Sequence, residues 1–354
     1  MFLLLTNGCQ DDIMMLSEKT KLQERGALDP MFVFIEFLRA LATCLITNSH
    51  YTGIYPSDII ANGGMIGNVI FFAVSGYCLY NVKGSFLKWY PKRVLRCYIP
   101  VILITAIYML IGFYSLSEHS WLHWYIYPTA YHFVSSIVLL YIPFYVIMRI
   151  PALKERILWV MLALLGVLML VYVVFYDKSY YHIDTVREPM IRFLFMECML
   201  LGAYFKQREE KVLSVYRAGN LIGMAIFLVV YFASKMLFSK MQSLSVLQIL
   251  NWFTIFGLLY FIFALFAGLE SKLSATPRWI KALASYLAAM TLEIYVVQSV
   301  LIDLIRAHLS FPLNWFALTA SILVAATILH FVSGWVIKGI DSVCMVIAGK
   351  KKNQ

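Results

Sequence analysis

Three ionisable residues occupy one apolar stretch early in the chain, where a membrane helix rarely carries them. The stretch Phe32 to His50 contains Glu36, Arg39 and His50. Arg39 and His50 are eleven residues apart, about three helical turns, so both would lie on one helix face, roughly 16 Å apart along the axis. Glu36 precedes Arg39 by one turn and could pair with it. Because burial favours the neutral imidazole, His50 is the candidate general base.

A second set of residues could bind phosphate. The segment from Lys83 to Arg96 carries five cations and no acidic residue. Lys92, Arg93 and Arg96 lie within five residues, so one turn of helix could present them together to a phosphorylated ligand. A guanidinium binds phosphate oxygens in pairs. Attraction to anionic lipid headgroups explains the same charges without a ligand, just as snorkelling and an interfacial position explain Glu36, Arg39 and His50.

Five further polar residues in apolar stretches are candidates for binding an acceptor. They are Ser75, Arg192, Glu197, Glu293 and Gln298. Ser75 lacks the Gly-x-Ser-x-Gly pattern of a nucleophile elbow, and the small pair at 75 and 76 also suits close helix packing. Arg192 and Glu197 would point about 140° apart on one helix, so we expect no direct pairing. His119 and His123 have metal-ligand spacing without a clear third ligand, so we predict no metal.

The elements that must position these residues are membrane helices. The chain has 354 residues, 62% hydrophobic and 14% charged, against roughly 45–50% and 25% in soluble domains. A soluble globular protein is therefore excluded, and 16% aromatic residues exclude a disordered chain. At about 20 apolar residues per crossing, we predict an all-α bundle of ten spans. They lie near 32–50, 60–80, 97–113, 131–148, 157–175, 190–205, 219–234, 246–268, 285–305 and 315–337.

The positive charge follows the predicted topology. The formal net charge is +10, but 22 of the 29 Lys and Arg residues fall in alternate connecting segments. Cytoplasmic loops carry such an excess, so we predict cytoplasmic N- and C-termini, with lipids rather than nucleic acid as the partner of these charges. The division is a cytoplasmic leader at 1–31, a transmembrane domain at 32–337 and a basic cytoplasmic tail at 338–354.

Several motifs together resemble the acyltransferase 3 family of integral membrane enzymes. They are Arg39 and His50 with ten residues between them, FFAVSGY at 71–77, KRVLRCYIP at 92–100, MECMLLGAYF at 196–205 and SYLAAMTLEIYVVQS at 285–299. Glu36 stands where the family more often has Asp. His132 and Phe133 stand where an aromatic pair with Trp is common, which makes His132 a candidate acceptor-binding residue.

The resemblance implies an O-acyltransferase of the bacterial cytoplasmic membrane, of the type without an added extracytoplasmic domain. Family members commonly move acetyl from acetyl-CoA to hydroxyls of cell-surface polysaccharides or their lipid-linked precursors. In this chain, His50 would activate the sugar hydroxyl or itself take the acyl group, while Arg39, held by Glu36, would orient the donor arm. Lys92, Arg93 and Arg96 would hold the phosphates of acyl-CoA.

Two other classes of protein explain part of the pattern. A ten-span bundle with buried charges could export or flip a glycan or a lipid-linked sugar. A sensory or scaffold membrane protein is the third class, although it gives no use to Glu36, Arg39 and His50. An exporter needs neither CoA nor a phosphate-binding cluster. Dependence of the activity on acetyl-CoA therefore distinguishes an acyltransferase from an exporter.

Overall fold

The fold is given by a computed structural model that describes residues 33–127, 131–213 and 215–350. All regular structure in these residues is helical. The predicted leader at 1–31 and the last four residues of the predicted tail lie outside the described residues. The longer helices are α1 (Val33–Ser49), α2 (Gly64–Cys78), α3 (Phe86–Leu110), α4 (His132–Arg149), α5 (Ile157–Val174), α6 (Ile191–Gln207), α7 (Ala218–Lys240), α8 (Ile249–Gly268), α9 (Arg278–Ala289), α10 (Thr291–His308) and α11 (Leu313–Lys350).

The connections contain short helical turns. They are Trp121–Tyr125, Pro151–Glu155, Glu209–Val212, Gln242–Leu247 and Glu270–Ser274.

The helices form a multi-pass membrane bundle. Within the described residues, six helices are long and apolar enough to cross a bilayer, namely α3, α4, α5, α7, α8 and α11. Helices α9 and α10 are bent by 69° at their junction and together could make one more crossing. Helices α1, α2 and α6 are shorter, with 17, 15 and 17 residues. The all-helical membrane class is thus confirmed, while the count of ten and the side of each terminus stay predictions.

One predicted span differs from the structure. The ninth predicted span, 285–305, is not one straight helix, because α9 ends at Ala289 and α10 starts at Thr291. Helix α11 continues from Leu313 to Lys350 and so includes the first residues of the predicted tail at 338–354, whose cytoplasmic position stays a prediction.

Helix α2 lies at the centre of the bundle and is buried along nearly its whole length. It packs closely against α1 on one side and α6 on the other. At Gly76 an added Cβ would overlap the backbone carbonyl oxygen of Met199, and at Gly202 it would overlap that of Ala73. The two glycines therefore allow α2 and α6 to meet backbone to backbone, as small residues do in membrane helix pairs.

Replacement of Gly76 by alanine should destabilise the protein. The new methyl group can be accommodated only if the backbones of α2 and α6 separate, and such overpacking typically costs about 1–3 kcal/mol. The measurement is the midpoint of thermal unfolding of the purified protein in detergent. Gly166→Ala on α5 is the matched control, because an added Cβ there meets no atom within 4 Å. Equal midpoints for the two variants would contradict the backbone contact.

Candidate active site

A cavity of about 620 Å³ opens at one end of the bundle, and we call it the His50 cavity. It lies between the end of α1, the start of α2, the start of α4 and the connection between α5 and α6. Both His50 and His132 line this cavity. His50 directly follows the last residue of α1, and His132 is the first residue of α4. Two imidazoles that are 82 residues apart in the chain thus share one cavity.

The α1–α2 connection is held in place beside His50. The side-chain amide of Asn48 donates hydrogen bonds to the carbonyl oxygens of Ile60 and Asn62, at 2.7 and 3.0 Å. Gly63, with φ of +98°, then turns the chain into α2, a conformation that favours glycine. These contacts bring Asn68 of α2 to the same cavity as His50.

Aromatic rings form the inner floor of this cavity. Phe133 lines the cavity and its ring centroid lies 4.4 Å from that of Phe71. Phe72 stacks on Phe195 of α6 at 4.2 Å. Phe71 and Phe72 are almost fully buried and lie one helical turn inward from Asn68. The rings therefore separate the His50 cavity from the layer of Ser75 and Cys78 farther along α2.

The outer wall of the cavity is the connection at 175–190, which sequence analysis did not select. The fully buried side chain of Gln248 accepts hydrogen bonds from the backbone N–H groups of His182 and Ile183, at 2.9 and 3.0 Å, and donates one to the carbonyl oxygen of Tyr180 at 3.0 Å. The indole of Trp252 donates to the carbonyl oxygen of Ile183 at 3.2 Å. The connection is thus fixed to the start of α8. The many aromatic and charged residues of this connection were the sequence signal that could have identified it as part of the site.

Arg39 lies on the other side of the aromatic floor. Its side chain is 3% exposed, and Nη2 donates towards Sγ of Cys78 on α2 at 4.0 Å. Glu36 accepts a hydrogen bond from the hydroxyl of Ser285 on α9. The structure therefore gives Glu36 a partner other than the one predicted, and it places Arg39 beside Cys78.

The three predicted phosphate-binding cations do not share one face. Lys92 and Arg96 line a shallow depression against Ile337 and Ile340 of α11. Arg93 points into the bundle, is 7% exposed and lies 5.7 Å from the centre of the Trp89 ring. Lys92 and Arg96 thus lie together on the outer side of the helix, whereas Arg93 points inward. The predicted presentation of all three cations to one ligand is therefore not observed.

The remaining predicted acceptor-binding residues lie elsewhere. Among the described residues that line the His50 cavity, only His132 belongs to this predicted set. The hydroxyl of Ser75 donates to the carbonyl oxygen of Phe71 at 2.9 Å, which suits a packing role. Arg192 donates to the hydroxyl of Tyr127 at 2.9 Å.

Three carboxylate and amide candidates are also buried away from this cavity. Glu197 lines a separate apolar cavity of about 260 Å³ between α5, α6 and α8. Oε1 of Glu293 lies 3.1 Å from Nδ1 of His330 on α11. Gln298 is 2% exposed on α10. None of the three is among the described residues that line the cavity of His50.

A comparison with protein families agrees with the helical membrane fold and identifies its family. A family model described as an acyltransferase domain, that of the acyltransferase 3 family, matches residues 32–337. The chain belongs to this family and is a membrane acyltransferase. No curated protein and no solved structure matches the chain.

Replacement of Gln248 by leucine should loosen the connection at 175–190. The change leaves the buried N–H of Ile183 without its acceptor, and each such loss typically costs about 1–3 kcal/mol. The measurement is the rate of tryptic cleavage after Lys178 and Arg187 in the folded protein, which should increase. Gln207→Leu is the control, because its amide donates to the carbonyl oxygens of Lys154 and Glu155, outside the connection at 175–190. Equal cleavage rates for both variants would show that Gln248 does not fix the wall.

Proposed function

We propose that the protein transfers an acetyl group from acetyl-CoA to a hydroxyl of a cell-surface polysaccharide or its lipid-linked precursor, at the bacterial cytoplasmic membrane. The observation that carries the proposal is the position of His50, in a polar cavity that opens at one end of a membrane acyltransferase. Its volume of about 620 Å³ falls within the usual range for small-ligand sites, which is enough for one or two sugar rings.

The chemistry assigned to His50 is general base catalysis. The imidazole takes the proton of the acceptor hydroxyl while the hydroxyl oxygen forms a bond to the thioester carbonyl carbon. The carbon–sulfur bond then breaks, and the proton passes from His50 to the departing sulfur, which leaves as the thiol. In the alternative route, the imidazole nitrogen first takes the acyl group, the thiol leaves, and the hydroxyl attacks the acyl-imidazole.

The positively charged residues fit the donor rather than the acyl carbon. Arg39 precedes His50 by about 16 Å along α1, which is too far for its guanidinium to stabilise an oxyanion formed at His50. It is better suited to orient the donor arm, together with the inward-pointing Arg93. Lys92 and Arg96 are suited to phosphates that remain at the wet surface.

Passage of the acyl group requires a change at the aromatic floor. Phe71, Phe72 and Phe133 lie between the layer of Arg39 and the cavity of His50. The thioester, or the acyl group, must therefore pass these rings, and rotation of their side chains would be coupled to donor entry. The same closed floor is what an outward-open exporter would show, so export of a glycan or lipid-linked sugar is the second candidate function.

His50→Ala should abolish acetyl transfer and leave the binding of acetyl-CoA unchanged. Loss of a general base typically lowers the rate by about 10²–10⁴-fold. The measurement is transfer of label from acetyl-CoA to a glycan fraction by purified protein, with donor binding measured in parallel. His308→Ala, at an exposed histidine that ends α10, is the control. Wild-type turnover by the His50 variant would refute its catalytic role, and an unlabelled glycan fraction with the native protein would favour export.

Arg96→Gln should have the opposite pattern, with weaker binding of acetyl-CoA and a nearly unchanged rate at saturation. A lost charge-assisted hydrogen bond to phosphate typically costs about 1.5–3 kcal/mol, which corresponds to roughly a tenfold to hundredfold rise in the dissociation constant. Arg93→Gln should weaken binding as well. Lys88→Gln, an exposed cation of the same segment, is the control, and an equal effect of this variant would show general surface attraction instead of a site.

A further inference from the structure

The described residues that line the His50 cavity include three ionised side chains, and two of them neutralise each other. Nζ of Lys235 lies 3.0 Å from Oδ2 of Asp184. The same carboxylate oxygen accepts a hydrogen bond from the hydroxyl of Tyr181 at 2.6 Å. Asp184 is thus engaged by two partners on its own side of the cavity. The third charged side chain is that of Arg187.

Arg187 faces the cavity. It lines the cavity together with His132 and Tyr295. Within the part of the chain that the structure describes, no carboxylate lies within ion-pair distance of its guanidinium. Apart from its two imidazoles, the described wall carries Lys235 and Arg187 against Asp184, which is a surplus of one positive charge.

The backbone of the segment that carries Arg187 is held before any ligand binds. It lies four residues after Ile183, whose backbone groups are held by Gln248 and Trp252. Asp184 adds the link from the same connection to Lys235 on α7. Because this backbone is already ordered, ligand binding has to order only the side chain of Arg187.

We infer that the His50 cavity selects an acceptor that carries an anionic group beside the hydroxyl to be acylated, and that Arg187 binds this group. The inference rests on the proposed acyl transfer at His50. A guanidinium binds carboxylate or phosphate oxygens through two parallel hydrogen bonds. The anionic group is therefore either the carboxylate of an acidic sugar or a phosphate attached to the sugar. A cationic acceptor would be disfavoured by the net charge of the wall.

The test uses three matched acceptors with the full-length protein in lipid nanodiscs. Methyl glucuronide carries a carboxylate, glucose 1-phosphate carries a phosphate, and methyl glucoside is neutral. Binding is measured without donor, by calorimetry, and acetyl transfer is measured with labelled acetyl-CoA. We expect at least one anionic probe to bind about tenfold more tightly than methyl glucoside, and the preferred probe identifies the source of the charge.

Arg187→Gln should remove this preference. The dissociation constant and KM for the preferred anionic probe should rise about tenfold, whereas kcat and the values for methyl glucoside should change little. Lys240→Gln is the matched control, because Lys240 is an exposed cation at the same end of α7 as Lys235. Its removal lowers the surface charge equally and should leave all three probes unaffected.

The outcomes separate the two proposals. Equal binding of the anionic and neutral probes, or an Arg187→Gln variant that keeps the preference, would overturn the role of Arg187. A tenfold loss in Lys240→Gln as well would also overturn it, because general surface charge would then explain the preference. Anion-dependent binding without any transfer of label would support the anionic site and would count against the proposed acyl transfer.

Discussion

Backbone contact between α2 and α6 is the constraint on which the rest of the bundle depends. Gly76 and Gly202 each face a carbonyl oxygen of the opposite helix, so neither position has room for a side chain. Because apolar side chains gain little from leaving lipid for a protein interior, membrane helices associate through such close packing. The contact also sets the depth at which Phe72 stacks on Phe195. The aromatic floor is thus a direct product of the glycine pair.

The candidate phosphate-binding cations and the candidate catalytic imidazoles lie far apart in the bundle. Cations that suit phosphates lie at one end, and the imidazoles of His50 and His132 lie in a polar cavity at the other. Between them, the bundle holds Arg39 near Cys78 and the phenylalanine rings of α2 and α4. The cations and the imidazoles therefore lie on opposite sides of the aromatic floor.

The sequence predicts much of this arrangement, for reasons that are local. Apolar runs of the right length predicted the helices, and the spacing of Arg39 and His50 directs both residues towards α2. The bend between α9 and α10 was not predictable, since neither proline nor glycine lies at Met290. The partners of Glu36 and the separation of Arg93 from Lys92 depend on neighbouring helices. The role of Gln248 was also hidden, because its acceptors and donors lie 65 to 68 residues earlier in the chain.

Helix α11 has 38 residues, which at 1.5 Å per residue is a length of about 57 Å. The hydrocarbon core of a bilayer is only about 30 Å thick. One end of this helix therefore projects well beyond the lipid, and its contacts through Ile337 and Ile340 place it next to Lys92 and Arg96. The last ten residues of this helix therefore continue past the point at which it lies beside Lys92 and Arg96.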